Sequence, residues 1–377
     1  MPAPSTERLD AMLAAALGGG VRVASTELLA PWQVMRCRLF GRGPESVVAK
    51  WRRETGVAHG MDPRTAADRT DPSRVATERA ALVFLEEIGF ARAPRLVAAD
   101  DHTLILEDLA PRRPLADQMR ERGASALAAQ LSAFARASGE LGAAAARQAN
   151  RFGEICAGLG VRGPIGRPLG LGPFWPEARA QLEALGRPLS AASERDLAAI
   201  TAVLARPGPF LTLENGDPHP NNFLCAEEDD GRLIDFEAAG YRHALVSAVW
   251  IHVPGPAWIT AAAGMAASLE DAYRHALAVG VPEAEDDAQF GFGLAAAALA
   301  EACGRIGRFG VVDARPAGDG SRPQRIATLE AAAGVARRAG VLADLAGWME
   351  QTAAWLRRRW PDADLALAEL GPYAPRP

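Results

Sequence analysis

Lysine is almost absent from this sequence, because Lys50 is the single lysine among 41 basic residues and all the others are arginines. The two side chains are not interchangeable, since an ammonium is a compact point charge whereas a guanidinium is a planar fork of donors. Taken alone, the lone lysine is explained equally well by chance and by a position that requires an ammonium. The residues around Lys50 in the sequence are needed to distinguish these two explanations.

Cysteine is also scarce, and the four cysteines lie far apart without a C-x-x-C pair: Cys37, Cys156, Cys225 and Cys303. This spacing argues against a zinc site and a disulfide framework, so we expect a protein of the reducing cytoplasm. No apolar run approaches the roughly 18 residues that span a bilayer, and the N-terminus does not resemble a signal peptide. The net charge of -5 offers no basic surface, so neither a nucleic acid nor a membrane is an expected partner. Nothing in the sequence indicates an oligomeric state.

The first 110 residues combine strand patterns with two helical patterns. Apolar residues on one stripe predict a helix over 5–17, which three consecutive glycines end. Asp71-Pro72 is a typical start for a second helix that ends near Ile88. Apolar, strand-like runs predict strands over 21–29, 32–40, 46–51, 96–98 and 103–106. We therefore expect a mostly antiparallel sheet with one helix, preceded by the N-terminal helix.

From residue 111 onward the sequence turns alanine-rich and mainly helical. Helices are expected over 115–150 (one or two), 177–205, 260–280, 284–307, 323–339 and 343–359, with a loop over 158–176 and a short β section over 210–237. The predicted class is α+β with two parts. Residues 1–110 form a sheet-containing N-terminal lobe, and residues 111–377 form a mainly helical C-terminal lobe.

The densest group of polar residues lies between 213 and 237. Two short apolar runs flank an acidic turn that ends at Gly231, which predicts a β-hairpin. The hairpin brings Asn222 and Asp235 together, with Asp217 in the loop that enters it. Carboxylate and amide oxygens suit a hard cation such as Mg²⁺, and phosphoryl transfer requires a metal, a positioned base and a cation on the phosphates. Ordinary turn chemistry explains the acidic turn, but it does not explain Asp217 and Asp235 together.

These residues stand in the order of a known family. Residues 216–222 (G-D-P-H-P-N-N) resemble the G-D-x-H-x-x-N catalytic loop of the aminoglycoside phosphotransferase and choline kinase family. Residues 234–237 (I-D-F-E) resemble its metal-binding segment, the counterpart of D-F-G in protein kinases. The resemblance implies that Asp217 is the catalytic base for the acceptor hydroxyl and that Asn222 and Asp235 hold Mg²⁺. It also implies a two-lobed protein-kinase-like fold with a catalytic β-hairpin in the C-terminal lobe.

The same resemblance extends to the N-terminal region. Residues 47–50 (V-V-A-K) resemble the third strand of the family, whose lysine contacts the α- and β-phosphates, and Lys50 is the lone lysine. Glu78 shares one face of the predicted helix with Leu82 and Leu85. A carboxylate on an apolar face is costly unless it is paired, and Lys50 is its natural partner. A solvent-exposed Glu78 is the alternative.

A fourth resembling segment lies between the two predicted lobes. Residues 104–109 (L-I-L-E-D-L) resemble the strand and hinge of the family. By that resemblance, backbone groups near Glu107 and Leu109 bond the adenine edge of the nucleotide, so that side-chain identity matters little. The family features extend over roughly residues 20–255, and residues 260–377 carry no motif.

Two departures from the family pattern bear on function. Asn215 stands where the family often has histidine, at a position that orients the loop. The turn expected to cover the nucleotide, at 29–32, has no glycine, so backbone amides approach the phosphates less freely. The sequence favours a phosphotransferase that moves the γ-phosphoryl group of ATP or GTP to a hydroxyl of a small molecule. A non-catalytic nucleotide-binding kinase-like module is the alternative, and a protein kinase is disfavoured because no H-R-D-L-x-x-x-N motif occurs.

The sequence does not identify the acceptor molecule, because fold does not fix substrate. An acidic run at 283–287 is explained equally by attraction of a polycationic aminoglycoside and by the solvated start of a helix. Trp250, His252 and Trp258 are candidates for an apolar acceptor pocket, although ordinary core packing is the commoner role of such residues. His219 is expected to hydrogen-bond the backbone rather than to bind a metal.

Overall fold

A computed structural model of the chain describes residues 3–30, 33–51, 73–161, 171, 174–226, 230–254 and 263–363. Its N-terminal part contains a five-stranded antiparallel sheet in the order β1-β2-β3-β5-β4. The strands and accompanying helices are α1 (Thr6–Leu17), β1 (Arg22–Ala30), β2 (Val34–Phe40), β3 (Ser46–Trp51), α2 (Ser73–Glu87), β4 (Leu96–Ala99) and β5 (Thr103–Glu107). The predicted antiparallel sheet is confirmed, and the predicted helix start at Asp71-Pro72 lies outside the described residues.

The two faces of this sheet are covered by different helices. Val47 and Ala49 of β3 are buried on one face, where they pack with Leu9 and Leu13 of α1. Helix α2 packs against β4 and β5, on the other face. Because side chains alternate along a strand, Lys50 points away from α1 and toward the side that α2 covers. The register of β3 thus places the ammonium of Lys50 in the interior between the sheet and α2.

The remainder of the described chain is mainly helical, with short strands. Its helices are α3 (Leu115–Arg122), α4 (Ala128–Ala145), α5 (Ala149–Gly158), α6 (Trp175–Ala184), α7 (Ala191–Ala205), α8 (Ala266–Ala278), α9 (Asp287–Ile306), α10 (Phe309–Asp313), α11 (Ser321–Ala339) and α12 (Ala343–Arg359). Its strands are β6 (Arg113–Pro114), β7 (Leu211–Glu214), β8 (Phe223–Cys225), β9 (Arg232–Leu233) and β10 (Gly240–His243). They form the sheets β6-β8-β9 and β10-β7. The α+β class is confirmed, and none of the described helices is long and apolar enough to cross a bilayer.

One predicted helix is two helices in the structure. The pattern over 177–205 is interrupted at Gly186, which has a φ of 78° and therefore leaves the helical conformation. Pro188 follows, and it cannot continue a helix from the preceding turn. Ser190 then caps the second helix, because its hydroxyl accepts the amide of Ser193 at 3.0 Å. Periodicity alone did not reveal this break, since apolar residues continue with helical spacing on both sides.

The segment that leaves β5 is anchored by Asp108, to which the sequence assigned no role. Its carboxylate is only 4% exposed and accepts hydrogen bonds from Arg36 Nε at 2.6 Å and from the Ser46 hydroxyl at 2.6 Å. The amide of Ala110 donates to the same carboxylate at 3.0 Å. Burial alone would raise the pKa of Asp108, but these hydrogen bonds outweigh it and hold the pKa below its usual value. The connection between the sheet and the helical part is therefore tied to β2 and β3.

Replacing Asp108 by alanine should destabilise the chain, because the partly buried Arg36 guanidinium would lose its main acceptor. We expect the free energy of unfolding in urea to fall by about 1–3 kcal/mol. The exposed Asp101 provides a matched control, and Asp101→Ala should change stability by less than about 0.5 kcal/mol. Combining Asp108→Ala with Arg36→Met should recover part of the loss. Equal stability of the two aspartate variants would contradict the anchoring role.

Candidate active site

The loop that follows β7 is shaped by two of its own residues. Gly216 has a φ of 92°, and a Cβ at this position would collide with the backbone carbonyl of Ala238. Asn215 is buried; its Nδ2 donates to the carbonyl of Ile234 at 3.3 Å, and its Oδ1 accepts the amide of Asp217 at 3.3 Å. These contacts join the loop to the end of the hairpin and fix the backbone at Asp217, which agrees with the orienting role expected for Asn215.

Asp217 is held on one side and open on the other. Asn222 Nδ2 donates to the Asp217 carbonyl oxygen at 2.9 Å and to its Oδ2 at 3.0 Å. The Asp217 side chain nevertheless remains 49% exposed. An oriented but accessible carboxylate is what proton abstraction from a bound substrate requires.

His219 lies beside this carboxylate rather than on the backbone. Its Nε2 is 3.6 Å from Asp217 Oδ1, and its buried Nδ1 has no hydrogen-bond partner in the described part of the chain. The backbone hydrogen bond predicted for this ring is therefore not observed. Burial lowers the pKa of His219 below its usual value, which favours the neutral ring. A neutral imidazole leaves the negative charge of Asp217 in place.

Asp235 follows the predicted hairpin in the chain. The antiparallel pairing of β8 with β9 confirms this hairpin. The amide of Ile234 donates to the carbonyl of Asn222 at 2.9 Å, so the two segments that carry Asn222 and Asp235 are adjacent. Asp235 itself has a φ of 64°, a left-handed conformation that costs a non-glycine residue about 1–3 kcal/mol. This turn brings its carboxylate to the ammonium of Lys50. The side chain of Asn222 bonds Asp217 instead.

Lys50 is the centre of a group of ion pairs. Its Nζ lies 2.6 Å from Glu78 Oε2 and 3.3 Å from Glu237 Oε2, and it also bonds Asp235. Burial alone would lower the pKa of Lys50, but the three carboxylates outweigh it and raise the pKa. Glu78 is buried, so the solvent-exposed alternative is wrong. Burial raises the pKa of Glu78 to about 7, against the opposing charge of Lys50.

Glu237 is a site residue to which the sequence argument assigned no role, although it ends the I-D-F-E stretch. Carboxylate oxygens of Glu78, Asp235 and Glu237 lie within 4.8 Å of one another. Arg74 contributes a second cation, since its Nη1 lies 2.5 Å from Glu237 Oε1. Three carboxylates therefore share Lys50 and Arg74, which leaves an excess of negative charge on hard oxygen donors. Such a donor set fits a divalent cation of the Mg²⁺ type.

The predicted hinge residues lie at the start of the connection to the helical part. The amide of Glu107 already donates to the carbonyl of Arg95 at 2.9 Å. The carbonyl of Leu109 accepts the amide of Arg112 at 3.1 Å, whereas the amide of Leu109 meets no acceptor within the described ranges. Arg112 also donates Nε to the carbonyl of Asp230 at 2.8 Å, which joins the hinge to the hairpin turn.

The aromatic residues considered for an acceptor pocket have other surroundings. Trp250 is 1% exposed, and its ring centre lies 4.6 Å from that of Phe134 in the helical core. His252 Nε2 contacts Glu270 Oε2 at 2.6 Å. Trp258 lies outside the described residues. Core packing, the alternative stated above, accounts for Trp250.

Comparisons with known proteins give one family and several distant structures. A family model described as the phosphotransferase enzyme family matches residues 50–285. Similar solved structures include a choline/ethanolamine kinase family protein from Mesorhizobium loti, at 15% identity and a TM-score of 0.49 over 92% of this chain and 99% of that one. They also include a macrolide 2'-phosphotransferase from Brachybacterium faecium, at 16% identity and a TM-score of 0.45 over 85% and 96% of the two chains. An aminoglycoside phosphotransferase from Alicyclobacillus acidocaldarius has 14% identity and a TM-score of 0.42 over 88% and 93%.

No curated protein matches the chain. The structural scores are too low to carry an argument, so the assignment depends on the family model, which begins at Lys50 and includes the loop and hairpin described above. Because this model covers more than half of the chain, the protein belongs to the phosphotransferase enzyme family.

Proposed function

We propose that this protein is a phosphotransferase that moves the γ-phosphoryl group of ATP or GTP to a hydroxyl of a small molecule. One observation carries the proposal: the ammonium of Lys50 meets the carboxylate of Asp235 although 185 residues separate them. A cation for phosphates and oxygen ligands for a metal thus face the same cleft. Membership of the phosphotransferase enzyme family supports the same chemistry.

The nucleotide phosphates would bind between Lys50 and the carboxylates. In this proposal Lys50 contacts the α- and β-phosphates, and Glu78 fixes its position from α2 at 2.6 Å. Asn222 and Asp235 would hold Mg²⁺, with Glu237 close enough to assist. When bound, Mg²⁺ neutralises charge on the β- and γ-phosphate oxygens. The carbonyl of Glu107 and the unengaged amide of Leu109 would bond the adenine edge.

The acceptor hydroxyl would approach Asp217 from its exposed side. Its oxygen forms a bond to the γ-phosphorus, and the bond from that phosphorus to the β–γ bridging oxygen breaks with its electron pair remaining on ADP or GDP. The proton of the hydroxyl passes to Asp217, whose orientation is set by the two hydrogen bonds from Asn222. The ring of His219 lies 3.6 Å from Asp217. Because this ring is neutral, it does not pair with the Asp217 carboxylate as a cation, and the carboxylate stays available to accept the proton.

The compartment proposed is the cytoplasm. All four cysteines are free and buried, which fits a reducing environment.

Replacing Asp217 by alanine should remove the proton acceptor while leaving the nucleotide site intact. We expect kcat to fall by about 10²–10⁴-fold, the usual contribution of a positioned general base. Calorimetric titration should show unchanged affinity for Mg-ATP. The exposed Asp101→Ala variant should retain normal kcat. A near-normal rate in Asp217→Ala would reject the assigned role. Binding of Mg-ATP without phosphorylation of any alcohol by the wild-type protein would favour the non-catalytic module.

Replacing Asp235 by asparagine tests the metal site without requiring a known acceptor. Thermal unfolding of the wild-type protein should respond more strongly to ATP with Mg²⁺ than to ATP with EDTA, because a ligand at about 100 times its Kd adds about 2.7 kcal/mol. In Asp235→Asn the Mg²⁺-dependent part of the shift should disappear, whereas Asp101→Asn should keep it. Retention of the full Mg²⁺ dependence in Asp235→Asn would place the metal elsewhere.

A further inference from the structure

A group of arginines lies on the helical side of the catalytic loop. It comprises Arg305 on α9, Arg308 just after α9, Arg315 after α10 and Arg325 on α11, and we refer to these four as the arginine cluster. Helices α9 and α11 pack against each other. Arg325 lies close enough to the other three to be affected by their charges. The Arg315 guanidinium donates to the hydroxyl of Ser321 at 2.7 Å, one helical turn before Arg325.

Arg325 differs from its neighbours because it has no partner within the described ranges. Its Nε is buried without a hydrogen-bond acceptor, as is that of Arg322, and no carboxylate there forms an ion pair with its guanidinium, although the charge of Glu301 acts on it and alone would raise its pKa. Arg322, one turn earlier on the same helix, donates instead to the carbonyls of Asp313 at 3.1 Å and Arg315 at 2.5 Å. Burial, together with the neighbouring arginines, lowers the pKa of Arg325 to about 9. A charge in this position destabilises the folded chain unless something compensates it.

The arginine cluster is connected to the catalytic loop through Glu301. Its Oε1 accepts Arg305 Nε at 2.6 Å, and although burial alone would raise the pKa of Glu301, the charges of Arg305, His219 and Arg325 outweigh it and lower the pKa. His219 in turn lies 3.6 Å from Asp217. A molecule that presents a hydroxyl to Asp217 from the helical side therefore enters the field of these arginines.

On the basis of the phosphotransfer proposed above, we propose that the acceptor is an anionic alcohol whose carboxylate or phosphate group pairs with Arg325 while its hydroxyl reaches Asp217. A guanidinium binds either anion through two parallel hydrogen bonds, which would satisfy the buried Nε of Arg325 and orient the acceptor. The substrate class is thus the opposite of a polycationic amino sugar.

The acidic run at 283–287 was considered above as a binding site for a polycation. In the structure, two of its residues instead stabilise the start of α9. Asp286 caps the helix by accepting the amides of Ala288 at 2.9 Å and Gln289 at 3.0 Å, and Asp287 pairs with Arg274 at 2.6 Å. Fourteen residues of helix separate Asp287 from Glu301, a distance of about 20 Å at the usual helical rise. The run therefore lies far from the end of α9 that faces Asp217, and its helix-start role accounts for it.

The first test measures the anion site without turnover, with inorganic phosphate as the probe. Thermal unfolding is followed in saturating Mg²⁺ and a non-hydrolysable ATP analogue, so that the nucleotide phosphate positions are filled. We expect phosphate to raise the Tm of the wild-type protein and to have no effect on Arg325→Met. Without phosphate, Arg325→Met should melt higher than wild type by about 2 °C, because an unpaired charge has been removed.

A matched control lies on the same helix. Arg337 pairs with Glu350 at 2.8 Å and is about 18 Å from Arg325 along α11, so Arg337→Met should keep the phosphate response. If Arg325→Met does not fold, Arg325→Lys serves in its place and should require at least about 10-fold more phosphate, since the two-point contact is lost. A lower Tm in Arg325→Met with an intact phosphate response would overturn the proposal and make Arg325 a structural residue.

The second test compares acceptors that differ in charge: glycerol, glycerate, glycerol 3-phosphate and ethanolamine. Wild-type kcat/KM should be at least about 10-fold higher for one of the two anions than for glycerol, and this preference should disappear in Arg325→Met mainly through KM. Which anion is preferred distinguishes a carboxylate from a phosphate. Equal or better use of glycerol or ethanolamine by wild type, without a phosphate response, would overturn the anionic acceptor while leaving phosphotransfer intact. A phosphate response that depends on Arg325, without turnover of any alcohol, would retain the anion site and reject phosphotransfer.

Discussion

The cleft depends on one ammonium that carboxylates from two distant parts of the chain share. Lys50 comes from a sheet strand, Glu78 from the helix packed on that sheet, and Asp235 and Glu237 from the segment after the hairpin. A largely buried ammonium is acceptable only when such partners surround it, and the buried carboxylate of Glu78 requires it equally. The sheet and the helical part are thereby coupled by electrostatics as well as by apolar packing. A metal-bound nucleotide needs the same concentration of oxygen donors, so in the proposed function one set of atoms serves both stability and phosphate binding.

Two backbone features keep these atoms in place, and the one at Asp235 is unfavourable by itself. Asp235 adopts a left-handed conformation, and Gly216 occupies a position where a side chain would strike the carbonyl of Ala238. Strain of this kind persists only where the surroundings determine the conformation. Here Asn215 ties the loop to the end of the hairpin, and Asp108 ties the hinge to the sheet. The backbone conformation of this site is therefore held by hydrogen bonds outside the group of ion pairs around Lys50.

The sequence predicted this part of the molecule well, because its signals are local. The pairing of Glu78 with Lys50 followed from helical spacing and from the cost of an unpaired carboxylate, and the hairpin followed from two apolar runs around a turn. The sequence assigned no role to Asp108 or Glu237. Whether a carboxylate forms an ion pair depends on which cation lies opposite it in the fold, and tertiary packing decides this. The pairing of β7 with β10 was missed for the same reason, since each strand has only four residues and the partner lies beyond the hairpin. The roles of Lys50, Asp217, Asn222, Asp235 and the hinge residues are still predictions.

The scarcity of lysine makes Lys50 stand out in the sequence, whereas the abundance of arginine gives no reason to single out Arg325. Arg325 precedes Leu329 by four residues and Ala332 by seven, so it shares a face with residues that are buried in the structure. The argument that identified Glu78 therefore applies to it: a charge on an apolar face needs a partner. For Glu78 the sequence offered one ammonium as the obvious partner, whereas one arginine of 40 has no such counterpart in the sequence. Only hydrogen bonding separates Arg325 from Arg322, whose Nε is also buried without an acceptor but whose Nη2 donates to the carbonyls of Asp313 and Arg315. A guanidinium that forms no ion pair with the described residues is a cost that a bound anion would offset, and this is the physical basis for proposing that Arg325 binds the substrate.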